Sequence, residues 1–316
     1  MLLRMLSRRD ALGLLAAALA TRPAGAAAQE PARRRPYAVA HRGASAYAPE
    51  HTLAAYQLAL DQGAEFVEQD LAMTRDGVLI CLHDDSLERT TDVAEVFPDR
   101  ATTDPGTGRR RWLAVDFTLD EVRRLDAGQW FGPGFRGARV PTWEEAVELV
   151  RGRAGLYPEL KMPALYVARG LDMTTAWLTS LRRLDLLTLA AEQVIVQSFD
   201  DGPLRRLAVE LPRVARTMLV DRGAASRWLS PGGLRVVAEF ATGIGPAKGL
   251  VDGRPALVAA AHELGLTVTP YTFSTRAPAP AHPDLTEEIR YYLEVLRVDA
   301  VFTDNPDRFP RTPLRA

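Results

Sequence analysis

Short apolar segments rich in β-branched residues recur along this chain, and most are separated by stretches of helical periodicity. The apolar segments are Tyr37–Ala40, Phe66–Leu71, Gly155–Leu160, Gln193–Phe199, Ala215–Val220, Ala241–Gly245, Leu266–Thr272 and Asp299–Thr303. The helical stretches are Thr52–Gln62, Trp143–Val150, Met173–Leu189, Gly202–Glu210, Leu234–Ala238, Pro255–Leu264 and Leu285–Leu296. Strands without polar alternation, joined by helices, predict a parallel sheet covered on its outer face. Eight such units predict an α/β fold closed into a TIM (β/α)8 barrel. A doubly wound open sheet is the alternative this pattern leaves.

Residues 92–140 break the rhythm with Pro98, Pro105-Gly106, Arg109-Arg110-Arg111, Trp130-Phe131 and Pro133-Gly134. The stretch is too long for an ordinary connection. It is expected to be an insertion at the barrel rim, between the hairpin of the second strand and the second helix, serving either as a cover for substrate or as packing. Within it Leu119–Leu125 reads as helical, with Thr118 as its cap.

The first 28 residues read as a cleaved export signal: Arg8-Arg9, an uncharged run from Ala11 to Thr21, then Ala26-Ala27-Ala28. The paired arginines point to the twin-arginine route. A disordered or amphipathic N-terminus is the alternative. The apolar run is shorter than the roughly 20 residues a bilayer requires, so no stable membrane span is expected. Residues 29–36 would be a linker and 37–316 the barrel, placed in the periplasm or secreted by a bacterium. A formal net charge of −1 gives no sign of a nucleic-acid partner. The single cysteine, Cys81, excludes an intramolecular disulfide, and its apolar run Val78–Leu82 makes it a packing residue. Lysine occurs only as Lys161 and Lys248.

Barrels of this kind gather their chemistry at the C-terminal ends of the strands. Polar residues fall there: His41 and Arg42, Glu68 and Asp70, Glu159 and Lys161, Gln197 and Ser198, Tyr271 and Thr272, Thr303 and Asp304. Glu68 and Asp70, two apart on a strand, face the same side. Their repulsion calls for a shared proton or a cation. The turn Thr74-Arg75-Asp76-Gly77 signals a hairpin that returns Val78–Leu82 and sets His83 near Asp70.

The ordered set Ala40-His41-Arg42-Gly43, Pro49-Glu50-His51-Thr52, Gly63 through Asp70, Thr74-Arg75-Asp76-Gly77, His83-Asp84 and Arg89-Thr90-Thr91 resembles the glycerophosphodiester phosphodiesterase family. Pro158-Glu159-Leu160-Lys161, Gln197-Ser198-Phe199 and Thr303-Asp304-Asn305-Pro306 match its later motifs in order. The resemblance is to the periplasmic bacterial branch and spans about Tyr37 to Phe309. It implies a TIM barrel whose Glu68, Asp70 and Glu159 hold a divalent metal. An all-oxygen set selects a hard cation, Ca²⁺ first and Mg²⁺ second. It further implies His41 and His83 as the general acid-base pair, Arg42 as a bidentate phosphate ligand and Lys161 as a second positive charge on the substrate.

The implied reaction is hydrolysis of a small glycerophosphodiester, such as glycerophosphocholine or glycerophosphoethanolamine, to glycerol 3-phosphate and an alcohol. Cleavage of lysophospholipid or sphingomyelin by the same barrel type is the alternative. A non-catalytic binding protein should lack a histidine or a metal carboxylate, and none is missing. His51 is expected to brace the His41 loop or touch substrate, outside the catalytic pair. His262 and His282 read as structural, and the role of Glu65 is open. Phe199, Tyr271 and Phe273 are candidates for the wall of the alcohol pocket, with core packing as the alternative.

Overall fold

The computed structural model describes residues 35–187, 193–277 and 281–311. The export signal expected over 1–28, most of the linker and the tail of the third helix at 188–189 lie outside the described residues. The described residues form one unit by their contacts.

The barrel strands are β1 (Tyr37–Ala40), β2 (Phe66–Met73), β3 (Gly155–Leu160), β4 (Ile195–Ser198), β5 (Ala215–Val220), β6 (Gly243–Pro246), β7 (Thr267–Val268) and β8 (Ala300–Thr303). Each pairs in parallel with its neighbour from β1 through β7, and β8 pairs with β1. Backbone bonds close the ring between β7 and β8: Asp299 N donates to Val268 O at 2.9 Å and Phe302 N to Pro270 O at 3.0 Å. Pro270 has no N–H to give, which helps explain why regular pairing of β7 ends at Val268, short of the expected Thr272.

Helices cover the outside: α1 (Leu53–Asp61), α2 (Trp143–Val150), α3 (Met173–Arg183), α4 (Asp201–Glu210), α5 (Pro231–Ala238), α6 (Pro255–Glu263) and α7 (Leu285–Glu294). Thr52 caps α1, its side chain accepting from Ala55 N at 3.2 Å. Thr142 and Glu145 form a capping box on α2. α3 stops at Arg183, earlier than its periodicity predicts, and Asp185 turns to φ +52. The main core lies between this helical layer and the strands. A second cluster, Val39, Tyr157 and Phe302 with Tyr37, Phe66, Ile195 and Tyr271 against it, packs apart from the main core. Gly155 is required there, because a Cβ would overlap the Phe66 ring.

The expected hairpin forms. β2 runs on to Met73, Thr74 N donates to Val78 O, and Leu79–Cys81 returns antiparallel with Leu71 opposite Cys81. Gly77 takes φ +80 at the turn, which glycine adopts without strain. Segment 92–140 lies between this hairpin and α2 as short helices and a two-stranded ribbon, Thr102–Thr103 with Arg110–Arg111. Its Trp112, Phe117, Val122 and Leu125 are buried in the main core. The helix expected over Leu119–Leu125 is a single turn, Leu119–Val122, with Thr118 and Glu121 closing a capping box.

Candidate active site

β2 and β3 run side by side with Asp70 opposite Glu159, so three acidic side chains meet at the strand ends. Glu68, Asp70 and Glu159 are all buried, and each offers one oxygen within 4.8 Å of the others. Their surroundings split their proton affinities. The Glu68 carboxyl is pushed up to about 7 by burial and by the charge of Asp70. Glu159 stands well above its usual range, because burial outweighs the pull of Lys161. Asp70 stays well below its own: burial opposes its charge, but Lys161, His51 and Arg42 prevail. Asp70 Oδ1 is buried with no hydrogen-bond partner. An all-oxygen cluster with an orphaned anionic oxygen fits a hard divalent cation.

The remaining contacts fix these carboxylates. Gln197 Nε2 donates to Glu68 Oε1 at 2.7 Å, and the Arg42 backbone N–H to Glu68 Oε2 at 3.1 Å. Arg42 takes φ +58. Its Nη1 donates to Glu50 Oε1 at 3.0 Å, while its Nε is buried without a hydrogen-bond partner. Lys161 Nζ donates to Glu159 Oε1 at 3.2 Å.

Each expected catalytic histidine is held through Nδ1 by an aspartate at 2.6 Å, His41 by Asp304 and His83 by Asp84. His41 Nε2 lies 3.8 Å from Glu68 Oε2. Burial and the Arg42 charge work against a proton on His41, but Glu68 and Asp304 outweigh them and raise its pKa. Burial lowers that of His83.

All seven expected site residues, His41, Arg42, Glu68, Asp70, His83, Glu159 and Lys161, line one pocket of about 160 Å³, together with Gln197, Phe199 and Tyr271. Beyond it an outer cleft of about 780 Å³ shares His83, Glu159, Lys161 and Phe199 and adds Asp84, Asp85, Asp200, Asp201, Arg111 and Arg227 among its walls. Phe199 is exposed and meets the Tyr271 ring edge-on at 5.9 Å. Of the two readings open for Phe273, the structure takes core packing: it is fully buried and packs on Tyr292 at 4.8 Å, away from the pocket.

His51 braces the His41 loop, its backbone N–H donating to Arg42 O at 3.1 Å, and its ring also reaches the acidic cluster, Nε2 donating to Asp70 Oδ2 at 2.9 Å. Its place beside Glu50 in a strand-end loop was the available signal. His262 pairs with Asp299 at 2.9 Å, and His282 lies against the Tyr291 ring at 5.0 Å, both outside the pocket. Glu65 accepts from Ala38 N at 2.8 Å. Burial pushes the Cys81 thiol up to about 12, so it is no nucleophile.

The sequence model of the glycerophosphoryl diester phosphodiesterase family matches residues 41–308. A glycerophosphodiester phosphodiesterase of Haemophilus influenzae is 30% identical, the alignment covering 85% of this chain and 87% of the relative. One of Bacillus subtilis is 32% identical, over 86% and 84%. The glycerophosphodiester phosphodiesterase structure from Agrobacterium tumefaciens superposes with a TM-score of 0.64 at 28% identity, covering 87% of this chain and 98% of that one. A phosphodiesterase of Oleispira antarctica, in complex with the product sn-glycerol-3-phosphate, gives 0.67 at 25% identity, over 87% and 95%. The chain is an enzyme and belongs to the glycerophosphoryl diester phosphodiesterase family.

Proposed function

We propose that this enzyme hydrolyses glycerophosphodiesters to glycerol 3-phosphate and an alcohol, with a divalent cation at Glu68, Asp70 and Glu159 and with His41 and His83 as the acid-base pair. The observation that carries it is the pairing of two aspartate-held histidines with a buried carboxylate cluster in one pocket. Holding Nδ1 by a carboxylate fixes the ring and leaves Nε2 for proton transfer.

Arg42, whose Nε lies 3.5 Å from Asp70 Oδ2, and the Lys161 ammonium supply positive charge for the phosphodiester anion. A bound cation, Ca²⁺ first and Mg²⁺ second, would add Lewis-acid neutralisation of the same charge. One histidine removes the proton from the glycerol hydroxyl beside the phosphate, whose oxygen attacks phosphorus. The other gives a proton to the alcohol as its P–O bond breaks. Water then opens the resulting cyclic phosphate with the two roles exchanged. Each transfer contributes about 10² to 10⁴-fold.

The departing alcohol would occupy the outer cleft, which His83 borders. Four aspartates there, Asp84, Asp85, Asp200 and Asp201, face two arginines, Arg111 and Arg227. That balance supports cationic alcohols such as choline and ethanolamine. The reading of residues 1–28 as an export signal supports a periplasmic or secreted enzyme, and no helix of the described residues is long and apolar enough to cross a membrane.

The test is release of glycerol 3-phosphate from glycerophosphocholine by purified protein, stripped with chelator and resupplied with Ca²⁺ or Mg²⁺. Product that returns with metal is expected. Product that persists after complete stripping would remove the metal from the reaction, and no product from any diester would remove the reading itself.

A further inference from the structure

Arg89 lies outside the pocket lining, yet its guanidinium uses two edges at once. Nη1 and Nη2 donate to the two oxygens of Glu50 at 3.0 and 2.7 Å. Nε and Nη2 donate to the two oxygens of Asp84 at 2.5 and 3.3 Å. Glu50 in turn accepts from Arg42 Nη1 at 3.0 Å, and Asp84 holds His83 Nδ1 at 2.6 Å. The result is an alternating chain, Arg42, Glu50, Arg89, Asp84, His83. It ties the loop after β1 to the loop after the hairpin strand, two segments that no strand pairing joins.

We propose that Arg89 is a positioning residue that sets the distance and orientation between the phosphate-holding Arg42 and the proton-transferring His83. The inference rests on the reading of the pocket given above. Three features carry it. Both pairs are two-pronged, a geometry that a planar guanidinium forms and an ammonium does not. The Arg89 side chain is 42% exposed, where an ion pair adds a small though measurable amount to stability, so the main consequence of the pairing is positional. And the chain ends on the two side chains whose separation a reacting phosphodiester must match, where a displacement of about 1 Å costs on the order of 10²-fold in rate.

The experiment compares wild type, Arg89→Lys and Arg89→Gln for glycerophosphocholine turnover, with the thermal midpoint of each. Arg42 keeps its own hold on phosphate in both variants, so KM is expected to stay within about threefold while kcat falls about tenfold or more. Arg89→Lys is expected to fail as Arg89→Gln does. Lysine keeping wild-type kcat would reduce Arg89 to a charge, and a loss confined to KM would make it a binding residue; either overturns the proposal.

A second arm needs no turnover. Thermal midpoints of Glu50→Gln, Asp84→Asn and their double variant are expected to be non-additive with Arg89 present and additive in an Arg89→Gln background. Additivity in both backgrounds would overturn the link. Absence of product from wild type would instead sink the reading of the pocket, with the link still decided by this arm.

Discussion

His51 Nε2 donates to Asp70 Oδ2 at 2.9 Å, and the other oxygen of that carboxylate, Oδ1, is buried without a partner. Burial lowers the pKa of His51, so the ring is neutral. A neutral ring that donates from Nε2 must accept at Nδ1, and the Tyr56 hydroxyl lies there at 2.8 Å. The carboxylate is thus oriented from behind with one oxygen left for a cation. His51→Ala is expected to weaken Ca²⁺ binding about 10- to 100-fold, as outer partners of metal ligands do. Calorimetric titration checks it, and unchanged affinity in a folded variant would reduce His51 to packing.

Stability of the stripped protein carries a pH signature of the same cluster. Glu68 keeps its proton up to about 7 and Glu159 beyond its usual range, whereas the unfolded chain ionises near 4.5. Below that value both states are protonated and neither group contributes a slope. Above it the folded state binds more protons than the unfolded one, so stability falls as pH rises from about 4.5 through 7. Asp70, held low, is ionised in both states across this window and adds nothing. A bound cation removes the cost of ionising the two glutamates. The gap between Ca²⁺-loaded and chelated thermal midpoints should therefore widen across this window. A gap that narrows would contradict the assignment of these carboxylates to the metal.

The two histidines are expected to fail in distinct degrees from their partners. His41→Ala and His83→Ala should each lower kcat by about 10² to 10⁴-fold without loss of the fold. Residual activity above about a hundredth of wild type would take that residue out of the pair. Asp304→Asn keeps the imidazole but loses the carboxylate that orients it and stabilises its charged form. Its kcat should fall less than that of His41→Ala, with KM little changed. A kcat equal to wild type would show that Asp304 serves the loop alone, through Ser45 Oγ, which donates to it at 3.0 Å.

Local pattern carried the barrel and most of its site to the reader of the sequence, because strand alternation and one tight turn place Glu68, Asp70 and His83 without long-range knowledge. Asp304 lies 263 residues from His41, and nothing local links them; their pairing exists because β8 closes on β1. His51 braces the His41 loop through its N–H on Arg42 O; what local pattern did not carry is the ring beneath Asp70, which a backbone at φ +54 places there. Phe273, at a strand end, was open to either the pocket wall or core packing. Its backbone pairs with β8 opposite Thr303, and its ring turns onto Tyr292 of α7.

The insertion 92–140 was expected as a cover or as packing, and its buried Trp112, Phe117, Val122 and Leu125 favour packing. Deleting it would strip the core, since loss of a single large aromatic costs about 3 to 5 kcal/mol. Among the described residues of this segment only Arg111 lines the outer cleft, where it pairs with Asp85. Arg111→Ala therefore separates head-group preference from folding. It removes a cation from a cleft that already holds more aspartates than arginines and releases Asp85 toward the ligand. The ratio of kcat/KM for glycerophosphocholine over the uncharged glycerophosphoglycerol should rise about 2- to 10-fold, the range of one partly exposed charge pair. An unchanged ratio, with both substrates still turned over, would mean that the alcohol leaves by a path that Arg111 and Asp85 do not border.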